Sequence, residues 1–273
     1  MNLLVKAHRE GRDIVSVTPR SAGWRYVGFS AHRLAAGESM TIDRADEELC
    51  IVLLGGNMTL SQRDGERWPD IGGRRDVFDD AAPYAAYFST GQGVDVVAHT
   101  PSIVGVASAP GPGSAPTRLI EPATMKRFAR GHGLNERFVC DILPQAEPAS
   151  HLLVVEVRTP SGHSSSYPPH KHDTDNLPDE SSLEETYYHR LRPAQGFAFQ
   201  RVYTDDRSLD QSLAVEDHDV VMVPRGYHPV VVPYGYESYY LNVMAGPRRE
   251  WHFRNDPAHE WMLKMGSKMG SEL

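Results

Sequence analysis

The chain has 273 residues, 40% of them hydrophobic and 23% charged, with a net charge of −8 and a pI of about 5.9. That length accommodates one large all-β domain or two of ordinary size, and the composition excludes wholesale disorder. Basic pairs such as Arg74-Arg75 and Arg248-Arg249 are isolated, so an acidic chain without clustered Lys and Arg is no candidate for nucleic-acid binding.

Residues 1–13 mix Lys6, Arg9, Glu10 and Arg12 with a few apolar residues and contain no signal-peptide core. No apolar run approaches the ~20 residues of a membrane span, so a cytoplasmic protein without a membrane partner is expected. Strand signals then dominate. They cover 24–34, 40–42, 48–54, 57–62, 76–78, 84–88, 94–98 and 103–107. Cys50 lies in the apolar run 49–54 and reads as a small buried hydrophobe, as does Cys140; neither has CxxC company. Residues 109–116 (APGPGSAP) are the clearest composition break and predict a linker between two halves. Residues 121–130 predict a short helix opened by Pro122 and ended by Gly131-His132-Gly133.

A second β-rich half follows, with strands at 152–158, 184–191, 197–203, 219–223, 228–232 and 238–245. Strands at this rhythm predict a β-sandwich or jelly roll. The tail 262–273 carries Lys-Met-Gly-Ser twice and is expected to fray.

His170-Lys171-His172 is the central motif. On a strand, residues i and i+2 share a face, so the two imidazoles can share one metal ion while Lys171 points away. Alone this is weak, because 13 histidines make a chance pair easy to find. Downstream, however, lie Glu184-Glu185-Thr186-Tyr187-Tyr188-His189 and Pro224-Arg225-Gly226-Tyr227-His228. The order HxH, glutamate, glycine, then PxG with a histidine resembles the two motifs of cupins. That resemblance implies a divalent metal held by His170, His172, a glutamate and His228. Glu185 is the preferred glutamate, with Glu184 and Glu180 open. Thirteen positions separate His172 from Glu185, more than in typical cupins, and His228 follows PxG one residue sooner than usual. Three nitrogens and one carboxylate suit a divalent metal, with zinc the expected ion and Mn, Fe or Ni the alternatives.

Longer segments carry a closer likeness. They include Ser165-Ser166-Tyr167-Pro168-Pro169-His170-Lys171-His172-Asp173, Arg130-Gly131 with Arg137 and Asp141-Ile142-Leu143-Pro144, Gln200-Arg201-Val202-Tyr203-Thr204, and Tyr239-Tyr240-Leu241-Asn242-Val243-Met244-Ala245-Gly246-Pro247. Over about residues 3–261 the chain resembles the 5-deoxy-glucuronate isomerase family. The resemblance implies an all-β bicupin: two tandem cupin domains of jelly-roll type with a few short helices. Its expected boundaries are a metal-free unit at 1–115, a connecting segment at 116–150, a metal-binding unit at 151–261 and the tail at 262–273.

It also implies an aldose–ketose isomerase converting 5-deoxy-D-glucuronate to 2-deoxy-5-keto-D-gluconate in inositol breakdown. In that reading Glu185 or His189 handles protons. Tyr187, Tyr227 and Tyr240 donate to sugar oxygens, and Arg190, Arg201 or Lys171 holds the substrate carboxylate. His151, His163 and His218 are expected at the surface. His32, Glu47 and Glu48 form no matched set in the first half. The rival readings are a related keto-uronate isomerase of pectin breakdown, an Fe-dependent cupin dioxygenase and a non-catalytic sugar-acid sensor. The partner is a small sugar acid, and a homo-oligomer is plausible because jelly-roll edges are often covered by pairing.

Overall fold

The computed structural model describes residues 2–267. Its architecture follows from strands that are apolar on both faces. In Glu47–Gly55 every position from Leu49 to Leu54 is buried. Side chains alternate along a strand, so Leu49, Ile51 and Leu53 enter one core while Cys50, Val52 and Leu54 enter another. A sheet built from such strands must be covered on both sides.

Among the described residues the strands form six sheets, and the two largest lie at the centre. A six-stranded sheet runs in the order Arg118–Ile120, Ala85–Phe88, Glu47–Gly55, Ser102–Pro110, Gly28–Leu34, Asp13–Val17. A seven-stranded sheet runs Leu4–Val5, Val220–Val223, Glu184–Arg192, Glu237–Ala245, Leu153–Thr159, Arg137–Leu143, Lys126–Arg130. The pairings within them are antiparallel. These two sheets share one core, where Phe29, Val52 and Ala107 meet Tyr188, Leu241 and Val243. On its other face each large sheet is covered by a four-stranded one. Ser39–Arg44, Gly91–Ala98, Asn57–Gln62 and Arg67–Gly72 cover the six-stranded sheet. Ser164–Ser165, Val230–Val231, Phe197–Tyr203 and Asp210–Glu216 cover the seven-stranded one. Each fully buried Leu, Ile, Val or Phe contributes about 1.5–3 kcal/mol, so apolar packing holds the four layers together.

Polar groups fix how the central layers meet. Glu48, fully buried, accepts from the amides of Ser150, His151 and Leu152 at 2.9, 2.6 and 2.9 Å, and from the Tyr87 hydroxyl. Glu184 does the same in the opposite direction, accepting from the amides of Arg25, Tyr26 and Val27 at 2.7, 2.7 and 3.0 Å. Each glutamate opens a strand of one central sheet. Each amide triplet immediately precedes a strand of the other, Leu153–Thr159 or Gly28–Leu34. A buried pair, Arg74–Glu156, is joined by two bonds of 2.9 Å, with the Tyr239 hydroxyl also donating to Glu156 at 2.9 Å.

Several expectations need correction. Residues 121–130 are not a helix. Pro122–Thr124 makes one 3-10 turn, and Lys126–Arg130 is an edge strand paired with Arg137–Leu143. That pairing lets Phe128 pack against the second-half core, which a helix there would forgo. Residues 76–78 are a turn rather than a strand, because the Asp76 carboxylate captures the Phe78 amide at 3.0 Å. The break at 109–116 begins two residues late, since the Ser102–Pro110 strand runs through Pro110. Asp13–Val17, Arg67–Gly72 and Asp210–Glu216 lie outside the predicted strands. Glu260–Ser267 forms a 3-10 helix where fraying was expected to begin, and the rest of the expected tail lies outside the described residues. Both cysteines are buried, as predicted, and both are free.

Candidate metal centre

The short strand His170–Lys171 pairs with Arg254–Asn255 and sets the alternation of the HxH motif. Lys171 turns away from the two imidazoles and meets Asp205 at 2.7 Å and Asp173 at 3.3 Å. His228 arrives from the loop after Val220–Val223, and Gly226 makes its approach possible. Gly226 has φ 92°, and a Cβ there would sit 2.5 Å from the Tyr203 carbonyl oxygen. Its amide donates to Asp173 Oδ2 at 2.7 Å, tying the PxG turn to the HxH segment.

His170, His172 and His228 are all buried, and each offers a ring nitrogen within 4.8 Å of the others. Glu185 Oε2 lies 3.2 Å from Nε2 of both His172 and His228. The other two glutamates are committed elsewhere. Glu184 holds the amides described above, and Glu180 accepts from the amides of Asp173 and Thr174. Of the three, Glu185 is the one that reaches the imidazoles.

The donor set fits a divalent cation. His228 Nδ1 donates to the Gly226 carbonyl at 2.9 Å, and His172 Nδ1 donates to the Leu183 carbonyl at 3.2 Å. A carbonyl only accepts, so the neutral rings carry their lone pairs on Nε2, facing the cluster. His228 Nε2 is buried without a hydrogen bond, its approach to Glu185 lacking the geometry of one. A buried polar atom left so costs about 1–3 kcal/mol, and a cation at the focus of the cluster removes that cost. Burial lowers the His228 pKa to about 4 and holds His170 well below the ordinary imidazole value, with the neighbouring imidazoles adding to the shift. Both are therefore neutral ligands near pH 7. For His172 burial also acts downward, but the bond and charge of Glu185 outweigh it and raise its pKa.

Glu185, Tyr187, His189 and Leu191 share one face of Glu184–Arg192, which the register places beside Tyr240. The Tyr187 ring centre lies 5.7 Å from His228 and 4.9 Å from Tyr240. Its hydroxyl bonds to that of Ser166 at 3.1 Å. Burial raises the pKa of both tyrosines, which keeps them neutral donors. His189 Nε2 donates to Gln200 Oε1 at 2.9 Å, and the Gln200 amide nitrogen donates to the His228 carbonyl at 3.3 Å. That fixes the free lone pair on His189 Nδ1, which is buried and unpartnered. Burial lowers the His189 pKa to about 4.

A family model described as the KduI/IolB family matches residues 3–262. The chain belongs to the KduI/IolB family. It is 52% identical over 264 residues to a protein of Geobacillus kaustophilus named 5-deoxy-glucuronate isomerase, covering 96% of this chain and 95% of that one. An IolB-like protein of Salmonella typhimurium superposes with a TM-score of 0.94 at 47% identity, covering 96% of this chain and 100% of that one. A Lactobacillus farciminis oxalate decarboxylase shares the cupin-type fold at 14% identity, with a TM-score of 0.63 over 99% of this chain and 93% of that one.

In this KduI/IolB chain some residues expected to bind substrate lie elsewhere. Arg190 is on the opposite face of its strand from His189 and bonds to Asp217 at 2.8 Å, with Asp76 at 3.5 Å. Arg201 faces outward, out of phase with Gln200, and is held by both oxygens of Asp210. Lys171 is saturated by Asp173 and Asp205, and the Tyr227 hydroxyl donates to the same Asp205 at 2.8 Å. Each of the four is thus held by an aspartate.

His218, expected at the surface, is tucked against the Tyr188 hydroxyl, and burial lowers its pKa to about 3. His151 and His163 are half-buried, each with Nδ1 bonded to a backbone carbonyl. In the first half His32 pairs with Asp13, and Glu47 lies 3.4 Å from Arg44. Sequence reasoning missed Gln200 and Arg137. Strand phase would have found both, since Gln200 shares a face with Ala198 and Val202, and Arg137 with Val139.

Proposed function

We propose that this protein isomerises 5-deoxy-D-glucuronate to 2-deoxy-5-keto-D-gluconate, an aldose–ketose step of myo-inositol catabolism. Curated relatives about half identical to it over nearly their whole length carry the isomerase name, and that observation supports the reading most. The reaction moves the proton on C2 to C1 and shifts the carbonyl from C1 to C2, with a hydroxyl proton passing from O2 to O1. His170, His172, Glu185 and His228 are the residues that would hold a divalent cation, with zinc the favoured ion. When bound, it polarises the substrate oxygens and stabilises the charge that develops on them.

The chain's own groups do the rest. Glu185 is the carboxylate beside the cluster, and His189 Nδ1 is a neutral buried lone pair on the same strand face, beyond Tyr187. Either handles the migrating proton. Tyr187 and Tyr240 are neutral, buried hydroxyls for hydrogen bonds to sugar oxygens.

The finer architecture in this reading is two tandem cupin units, 1–115 and 151–261. The 116–150 connection lends strands to both, Arg118–Ile120 to one central sheet and Lys126–Arg130 with Arg137–Leu143 to the other. The reciprocal glutamates support the duplication. A cytoplasmic location fits the absence, among the described residues, of a helix long and apolar enough to cross a membrane. The exposed Phe197, Phe199 and Val231 on the outer sheet support self-association. The family description joins KduI with IolB, which keeps a keto-uronate isomerase as the second reading.

Proton NMR of 5-deoxy-D-glucuronate with the enzyme in D2O, with and without prior chelation, tests the assignment. Metal-dependent growth of ketose signals, with deuterium entering the new hydroxymethyl carbon, is expected. A substrate left unchanged by metal-loaded protein would overturn it.

A further inference from the structure

The wall beside the metal cluster carries two positive charges with no visible counter-charge. Arg130 and Arg137 stand directly opposite each other across the ladder between Lys126–Arg130 and Arg137–Leu143. Like charges in that position repel. Arg137 is only 5% exposed, and its Nη1 donates to the carbonyls of Asn135 and Tyr167 at 3.0 and 3.2 Å. The Arg130 guanidinium lies 5.1 Å from the Phe253 ring centre. Among the described residues neither arginine has a carboxylate within ion-pairing distance, whereas the buried Arg74 and Arg190 are both paired. Burial pushes the Arg137 pKa down, and the charge of Arg130 pushes the same way. A guanidinium buried without an anion is costly, and proteins seldom keep one that has no use.

Both arginines line a cavity of about 580 Å³ that has His170 in its wall. The volume lies within the range of small-molecule sites. Arg190, Arg201 and Lys171, the cations that the sequence offered for the substrate's carboxylate, are already neutralised by aspartates.

We propose that Arg137, with Arg130 facing it, forms the subsite for the substrate's carboxylate, so that the acid end of the sugar is held in this cavity while its aldehyde end reaches the histidine cluster. The planar fork of Arg137 matches a carboxylate in two places, and a bound carboxylate relieves the repulsion between the two guanidinium groups. The identity of the acid rests on the isomerase reading; the anion subsite itself does not.

The test compares wild type with Arg130→Met, Arg137→Met and Arg137→Lys. Turnover is measured on 5-deoxy-D-glucuronate and on 5-deoxy-D-glucose, which has a hydroxymethyl group in place of the carboxylate. Binding of D-glucuronate and D-glucose is measured separately by calorimetry. Each methionine variant is expected to raise KM for the acid by about 10- to 100-fold, the loss typical of a charge-assisted contact. KM for the neutral sugar should change little, and Arg137→Lys should recover part of the loss. Arg130 is half-buried, so its variant keeps the test informative if Arg137→Met fails to fold.

Folded variants whose KM for the acid stays within about threefold of wild type would overturn the subsite and leave the isomerase assignment standing. If wild type turns over neither sugar, calorimetry decides. A preference for D-glucuronate that both methionine variants abolish keeps the subsite and overturns the reaction. No preference overturns the subsite as well.

Discussion

His228 brings three constraints together at one side chain. Its Nδ1 is spent on the Gly226 carbonyl, its Nε2 is buried without a hydrogen bond, and burial keeps it neutral. His228→Ala is therefore expected to lose most bound metal while the fold survives, because the alanine leaves no orphaned nitrogen behind. His189→Gln should behave differently, since His189 touches Gln200 and the tyrosines rather than the cluster. It should retain metal and lose about 10²- to 10⁴-fold in kcat, the range for a general acid–base group. Metal analysis beside kinetics separates the two, and full metal retention in His228→Ala would remove that residue from the ligand set. The raised pKa of His172 gives a pH dependence with a definite sign. The proton stabilises the metal-free state and must leave before the cation binds, so affinity falls as pH drops. The fall begins below the raised His172 value, which lies above the ordinary ~6.5, and approaches tenfold per pH unit. His228 adds a second proton only near its own value of about 4. Calorimetry in buffers of different ionisation enthalpy counts the proton released; an affinity independent of pH between about 6 and 8 would contradict this assignment.

At the scale of the element, the PxG turn decides whether His228 arrives at all. Gly226→Ala places a Cβ against the Tyr203 carbonyl at a φ that L-residues avoid. It should cost roughly 2 kcal/mol or more, lowering Tm by about 4 °C or more and weakening metal binding with it. Unchanged Tm and metal content would show that the turn tolerates a side chain. Elements with a strong local pattern were legible in the sequence. Asn57–Gln62 and Phe197–Tyr203 match their predicted bounds, and the HxH alternation places Lys171 away from the histidines. Elements decided by tertiary pairing were not. The Lys126–Arg130 edge strand has a helix-like start at Pro122, and only its pairing with Arg137–Leu143 makes it extended. Glu185 could not be separated from Glu184 by spacing, since adjacent strand residues face opposite layers and the sequence does not say which layer holds the histidines. Arg190 and Arg201 were plausible anion binders until Asp217 and Asp210, distant in sequence or on the neighbouring strand, were seen to hold them.

On the scale of the whole molecule, buried charge joins the central layers. Glu156→Gln should destabilise the protein by about 3–5 kcal/mol, because it strands the Arg74 guanidinium in the core. The double variant Arg74→Met, Glu156→Met should lie much closer to wild type, since it removes both charges together. Urea unfolding of the double variant and of its two single methionine variants measures the coupling, and a double variant as unstable as the sum of its parts would exclude it. Chain order adds a constraint of its own. Leu4 and Val5 form the edge of the seven-stranded sheet against Val221 and Val220, and Lys6 pairs with Asp219. At ~5–20 residues per second, the ribosome takes some tens of seconds to make these partners after Leu4, Val5 and Lys6. Glu48 waits in the same way for the amides of residues 150–152. Leu4–Val5 is thus made long before the strand that places it. The half that holds the histidine cluster, though encoded later, closes only around a segment synthesised well before it.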